Sequence, residues 1–158
     1  MITRKSSRAI ILNKKNEIFL FQYHFDYFIK GNIVWITPGG GLEEGESFDM
    51  ALEREVFEEL GIQINRDYQQ IYYRNPVYYL KNGEIAQCEE RFFLVYADGN
   101  DFSYTNWTES ENTRMLDGKW WSADEIKQSD DEFFTNDIID ILNNLSAGQI
   151  PMVPIEIA

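Results

Sequence analysis

Gly40 to Ile62 reads GGLEEGESFDMALEREVFEELGI and places eight carboxylates within 23 residues. Most of the segment has the marks of a helix running from about Ser47 to Leu60. Ser47 suits an N-cap, whose side-chain oxygen accepts a backbone N–H left over at the helix start. Gly61 suits the left-handed residue that ends a helix. At about 100° per residue, Leu52, Val56 and Leu60 form one apolar stripe. Glu55 and Glu59 fall about 40° apart elsewhere, with Glu58 about 60° to the other side of Glu55. Three like charges on one face destabilise a helix by a few tenths of a kcal/mol per pair. No lysine follows until Lys81, so no i, i+4 partner is expected to offset that repulsion. A solvated acidic face is the ordinary reading of such a cluster. The alternative is a hard divalent cation, which prefers carboxylate and carbonyl oxygens; Mg²⁺ is the usual choice when phosphates complete its shell. The preceding Thr37-Pro38-Gly39-Gly40-Gly41 favours that reading, because bare backbone can approach a ligand closely.

Outward from this segment, Arg8–Leu12 and Glu17–Tyr23 read as strands joined by a polar turn, and Ile33–Thr37 as a short strand stopped by Pro38 and the glycines. Asn82-Gly83 signals a hairpin between Tyr68–Leu80 and Glu84–Ala97. Gly118–Trp121 reads as a strand leading to a capping box at Ser122 and Glu125. Phe134, Ile138, Ile141, Leu142 and Leu145 have the spacing of a second long amphipathic helix. The apolar tail Ile150–Ala158, broken by two prolines, has no assignable place. The expectation is one α/β domain over residues 1–158, with a mixed sheet between helices.

Fourteen basic against 27 acidic side chains leave a net charge of −13. That balance and the lack of a basic stripe argue against broad contact with a nucleic-acid backbone, though not against a small anion held through a cation. One cysteine, Cys88, excludes an internal disulfide framework and suits a reducing cytoplasm. No apolar run is long enough to span a membrane. His24, the lone histidine, has no neighbour with which to build a zinc site.

Gly40, Glu46, Arg54-Glu55-Val56, Glu58-Glu59 and Gly61-Ile62 occupy all nine defined positions of the Nudix box, and the chain resembles the Nudix hydrolases on that ground. The resemblance extends more weakly to the Trp35–Gly41 entry, the Glu90–Ala97 strand and the Lys119–Ile126 segment. It implies an α/β/α sandwich with a mixed central sheet, and hydrolysis of a diphosphate bond in a nucleoside diphosphate linked to a variable group, with Mg²⁺ as cofactor and Mn²⁺ as its substitute. Glu55 and Glu59 are then metal ligands, Glu58 a further ligand or water-orienting group, and the Gly40 carbonyl a backbone ligand. Glu46 and Arg54 pair to brace the loop against the helix. A further acidic residue outside the box is expected: Glu111, nine residues before Trp120, is preferred over Glu90, with Glu89 and Glu109 also candidates. Arg8 is expected to face the substrate. Trp35, Tyr23, Phe25, Tyr27 and Phe28 are candidates to stack on a base, against the alternative of core packing and loop anchoring.

Pro76 resembles a marker of ADP-ribose hydrolases, whereas Tyr78 and Tyr79 resemble one of dinucleoside-polyphosphate hydrolases, so neither decides the substrate. A nucleoside tri- or diphosphate, including a damaged nucleotide, is the expected substrate. A nucleotide-sensing module without turnover and an RNA-end pyrophosphohydrolase are the rival classes. A homodimer stays open.

Overall fold

The computed structural model describes residues 2–24, 33–65, 67–80, 82–103, 115–133 and 135–158. Among them, ten strands join one mixed sheet: β1 (Ile2–Leu12), β2 (Ile18–His24), β3 (Ile33–Ile36), β4 (Gly39–Gly41), β5 (Tyr68–Arg74), β6 (Val77–Tyr79), β7 (Ile85–Tyr96), β8 (Met115–Trp121), β9 (Glu132–Phe133) and β10 (Ile155–Glu156). The helices are α1 (Phe48–Leu60), α2 (Ala123–Gln128) and α3 (Ile138–Ser146). The sheet's main path runs β10-β5-β7-β1-β2-β3-β9. At its centre β1 runs parallel to β7 from Ile2↔Ala86 to Leu12↔Tyr96.

Alternation along β1 builds both layers. Ala9 and Ile11 pack in a cluster with Leu52, Val56 and Leu60 of α1, while Ile10 and Leu12 pack with Ile126 of α2 and Ile141 and Leu142 of α3. Successive side chains of a strand point to opposite faces, so helices cover the sheet on both sides. This is the expected α/β sandwich.

The ends of α1 are also as expected: Ser47 Oγ accepts the Met50 N–H, and Gly61 takes φ 72° and donates its N–H to Phe57 O. The α2 capping box is present. Three expectations need correction. The glycines after Pro38 do not merely stop a strand; they form β4, antiparallel to β1 through Ser6↔Gly41 and Arg8↔Gly39. The C-terminal helix is nine residues long and starts at Ile138, and Phe134 lies outside the described residues. The tail adds β10 to the edge at β5, where Ile157 N–H donates to Tyr73 O.

Gly61 and Gly83 both have positive φ, but a Cβ on Gly61 would stand 2.8 Å from Ser103 O and one on Gly83 would meet nothing within 4 Å. Gly83→Ala is therefore expected to lose about 1–2 kcal/mol through backbone strain alone, and Gly61→Ala clearly more. Urea unfolding of the two variants checks this, and equal losses would contradict it.

Candidate active site

The site begins with the contact between β4 and α1. A Cβ on Gly39 would lie 2.1 Å from Ser7 O, and one on Gly40 would lie 2.5 Å from Glu55 Oε1. Glycine at 40 therefore lets the Glu55 carboxylate rest against the backbone of β4. Glu59, fully buried, accepts the Gly39 N–H at Oε1 over 2.9 Å. The helix face that sequence spacing defines is thus turned onto the glycine strand.

Arg54 organises the rest. Its Nε and Nη2 donate to Glu46 at 2.7 and 2.9 Å, a two-point contact, and Nη2 also reaches Gly41 O at 2.9 Å. Nη1 donates to Glu55 Oε1 at 2.9 Å and Glu58 Oε2 at 3.2 Å. The expected Glu46–Arg54 pair is present. The expectation that no i, i+4 partner relieves the carboxylates is wrong, because Arg54 stands four residues before Glu58 and pairs with it. The hydrogen bond from Arg54, reinforced by the Glu43 backbone N–H, holds the Glu46 carboxyl below its usual range despite some burial. Hydrogen bonding to Glu46 chiefly, and the charge of Glu55, raise the Arg54 pKa.

Carboxylates with a backbone carbonyl are the donor set of a hard divalent ion, and in that sense Gly40, Glu55, Glu58 and Glu59 fit one. As they stand, Glu55 and Glu58 are turned onto Arg54 and Glu59 onto Gly39. Among the described residues no three acidic, histidine or cysteine side chains converge on a cation-sized point.

Beside β4 lies a cavity of about 560 Å³, lined by Arg4, Lys5, Arg8, Arg74, Tyr78 and Glu90 among others, with Gly41 in its wall. Gly41 thus joins the two parts of the site, since Arg54 holds its carbonyl. Arg8 donates from Nη1 to Thr37 O and Gly39 O, both at 3.2 Å, which keeps its guanidinium beside the glycine strand. The basic residues that the sequence scatters are therefore gathered: four cations of a strongly acidic chain line one cavity.

The remaining candidates fall as follows. Glu90 is buried and paired with Arg74. Glu89 pairs with Arg91, whose guanidinium lies over the Phe48 ring. Trp35 is 5% exposed, donates its indole N–H to Asp131 and meets Trp121 edge-on, which puts its ring in the core rather than in the cavity. Tyr23 is half-buried against the α1 cluster. Glu109, Glu111, Phe25, Tyr27 and Phe28 lie outside the described residues.

Arg4, Lys5 and Arg74 escaped the sequence reading. Arg4, Ser6 and Arg8 have the period-2 spacing of one strand face, a signal that a first strand starting at Ile2 would have exposed. Arg74 had no such signal, since its partner lies across a strand pairing.

The NUDIX domain model matches residues 3–140, and the chain belongs to that family. It is a Nudix hydrolase, an enzyme of the pyrophosphatase kind. Similar proteins include an RNA pyrophosphohydrolase of Wolbachia sp. subsp. Brugia malayi, 29% identical over 128 residues that cover 74% of this chain and 73% of that one. Among solved structures, a MutT NUDIX hydrolase from Burkholderia pseudomallei has a TM-score of 0.63 at 23% identity, covering 90% of this chain and 98% of its own. An Ap4A hydrolase of C. elegans has a TM-score of 0.56 at 20% identity, covering 92% and 96%. At those identities the likeness speaks for the fold.

Because Arg54 depresses the Glu46 pKa in the folded state, the pair's contribution is complete above the ordinary carboxylate pKa of about 4.3 and fades as pH falls through the folded value. Stability should drop below about pH 5, and Glu46→Gln should flatten that limb. Urea midpoints at descending pH test this, and an unchanged slope in the variant would contradict it.

Proposed function

We propose that the chain hydrolyses an anhydride bond in the phosphate chain of a small nucleotide, a nucleoside tri- or diphosphate. Mg²⁺, or Mn²⁺ in its place, would be held by Glu55, Glu58, Glu59 and the Gly40 carbonyl. The observation that supports this is the cavity beside β4, where Arg4, Lys5 and Arg8 share the wall with Gly41 of the Nudix segment. Its volume of about 560 Å³ falls in the range of small-molecule sites, roughly 300–1,000 Å³. Bound there, the ion would offset the charge of the diphosphate oxygens and lower the pKa of a water. The chain's own residues do the positioning. Arg8 meets the phosphates from its seat on Thr37 and Gly39, and Arg54 keeps the loop and helix in register. A carboxylate gripped by a cation is a poor base, so the proton acceptor is assigned to Glu111, on its spacing from Trp120 alone.

A second reading has one specific support: the similar Wolbachia protein is named an RNA pyrophosphohydrolase. Cations that receive a free triphosphate could equally receive one at an RNA 5′ end, and the basic cavity removes the argument from a missing basic stripe.

The test is turnover of nucleoside triphosphates, ADP-ribose, a dinucleoside tetraphosphate and 5′-triphosphorylated RNA with Mg²⁺. Free nucleotides should be cleaved best, and chelation should abolish cleavage. Glu55→Gln and Glu58→Gln should each lower kcat by more than about 100-fold while the fold persists. Faster cleavage of RNA would select the second reading. Binding without turnover would make the chain a sensor.

A further inference from the structure

We propose that the buried Arg74–Glu90 pair reads the base of the substrate nucleotide and selects guanine; this rests on the nucleotide reading above. Register places the pair. Gly41 of β4 pairs with Ser6 of β1, Ser6 with Glu90 of β7, and Glu90 with Arg74 of β5. At about 4.8 Å per strand, Glu90 lies two spacings, about 10 Å, across the sheet from the glycine strand. Both residues line the same cavity as Arg8 and Gly41. A nucleotide whose phosphates meet the box would extend its base in that direction.

Charge says which part of the ligand belongs there. Glu90 offsets Arg74, whereas Arg4, Lys5 and Arg8 stand on β1, one strand closer to β4. A buried carboxylate repels a phosphate but accepts from a neutral base. Burying an ion pair is costly, and apolar residues of similar size often serve stability as well or better, so stability alone is a weak reason for this one. The apolar surroundings suit a base too, with Tyr78, Leu80, Ala86 and Phe92 in the walls.

The donor pattern selects among bases. The contact joins Arg74 Nε to Glu90 Oε2, and a carboxylate has about four lone-pair directions. A carboxylate can take two hydrogen bonds side by side only from an edge with two adjacent donors. Guanine offers N1–H and N2–H₂; adenine, cytosine and uracil each set an acceptor beside their donor. Guanine O6, next to N1–H, would then meet the guanidinium side of the pair. Such edge readings are the usual way proteins recognise an unpaired base.

The test compares kcat/KM for GTP, ITP, ATP, CTP and UTP with Mg²⁺, using wild type and Glu90→Gln. GTP should exceed ITP, which lacks only the N2 amine, and the other three by about 10- to 100-fold. In Glu90→Gln the GTP:ITP ratio should fall toward one. Calorimetric binding of GDP against IDP gives the same comparison without turnover, and circular dichroism checks that the variant folds. Arg74→Lys, which keeps the charge, should retain part of the preference if Glu90→Gln fails to fold. Equal values for all bases, or equal loss for all of them in Glu90→Gln, would overturn base reading while leaving the hydrolase reading intact. Failure of every nucleotide to bind or react would overturn both.

Discussion

One guanidinium holds the Nudix segment together. Arg54 gathers Glu46, Glu55 and Glu58 and the carbonyl of Gly41, so the loop, the helix and the glycine strand share one anchor. Lysine could not do this: its ammonium is a point charge, whereas arginine offers five donors in a rigid plane. The same contacts explain how a helix carries clustered glutamates. Their mutual repulsion, a few tenths of a kcal/mol per pair in isolation, is answered by a cation within the segment.

The glycine strand transmits that anchor to the sheet. No side chain fits at Gly39 or Gly40, where Ser7 O and Glu55 Oε1 already stand. β4 can therefore lie between β1 and the carboxylate face of α1. The pairing of β4 with β1 places Gly39 beside Arg8, and because β1 and β7 run in continuous parallel register, Glu90 of β7 has a fixed place across β1 from Gly41. The long-range field of a −13 chain opposes an anion. At physiological ionic strength, however, charges beyond about 8 Å are largely screened. An anion entering the cavity would therefore respond to the charges that line it, Arg4, Lys5, Arg8 and the Arg74–Glu90 pair, rather than to the acidic exterior.

What could be read from sequence was local. The caps of α1, its apolar stripe and the α2 capping box join residues within eight positions, where geometry follows from helix period and turn chemistry; the Glu46–Arg54 pair, equally close in sequence, was implied by the family resemblance. The pairing of Arg54 with Glu58 is equally local, with arginine rather than lysine as the i, i+4 partner. The cavity is another matter. Arg4 stands opposite Cys88, and Arg74 opposite Glu90, and such registers belong to strand pairing that no local pattern encodes. The glycines were misread because glycine usually ends strands; here a close approach of backbones requires it. The tail found its place only because β5 leaves an edge for Ile155 and Glu156.

The contacts of Arg54 are not equivalent, and their ranking bears on how the site can bind a cation. Glu46 takes two nitrogens, Nε and Nη2, at 2.7 and 2.9 Å. Glu55 and Glu58 share Nη1, at 2.9 and 3.2 Å, with exposed Glu43 a further 3.7 Å contact of the same nitrogen. Two parallel charge-assisted bonds are the stronger and more directional arrangement. An ion that recruited Glu55 and Glu58 would compete with one nitrogen of Arg54 and would leave the Glu46 contact and the Gly41 carbonyl bond in place. The arginine that relieves repulsion among the carboxylates would not have to give up the loop if a divalent ion took over that task.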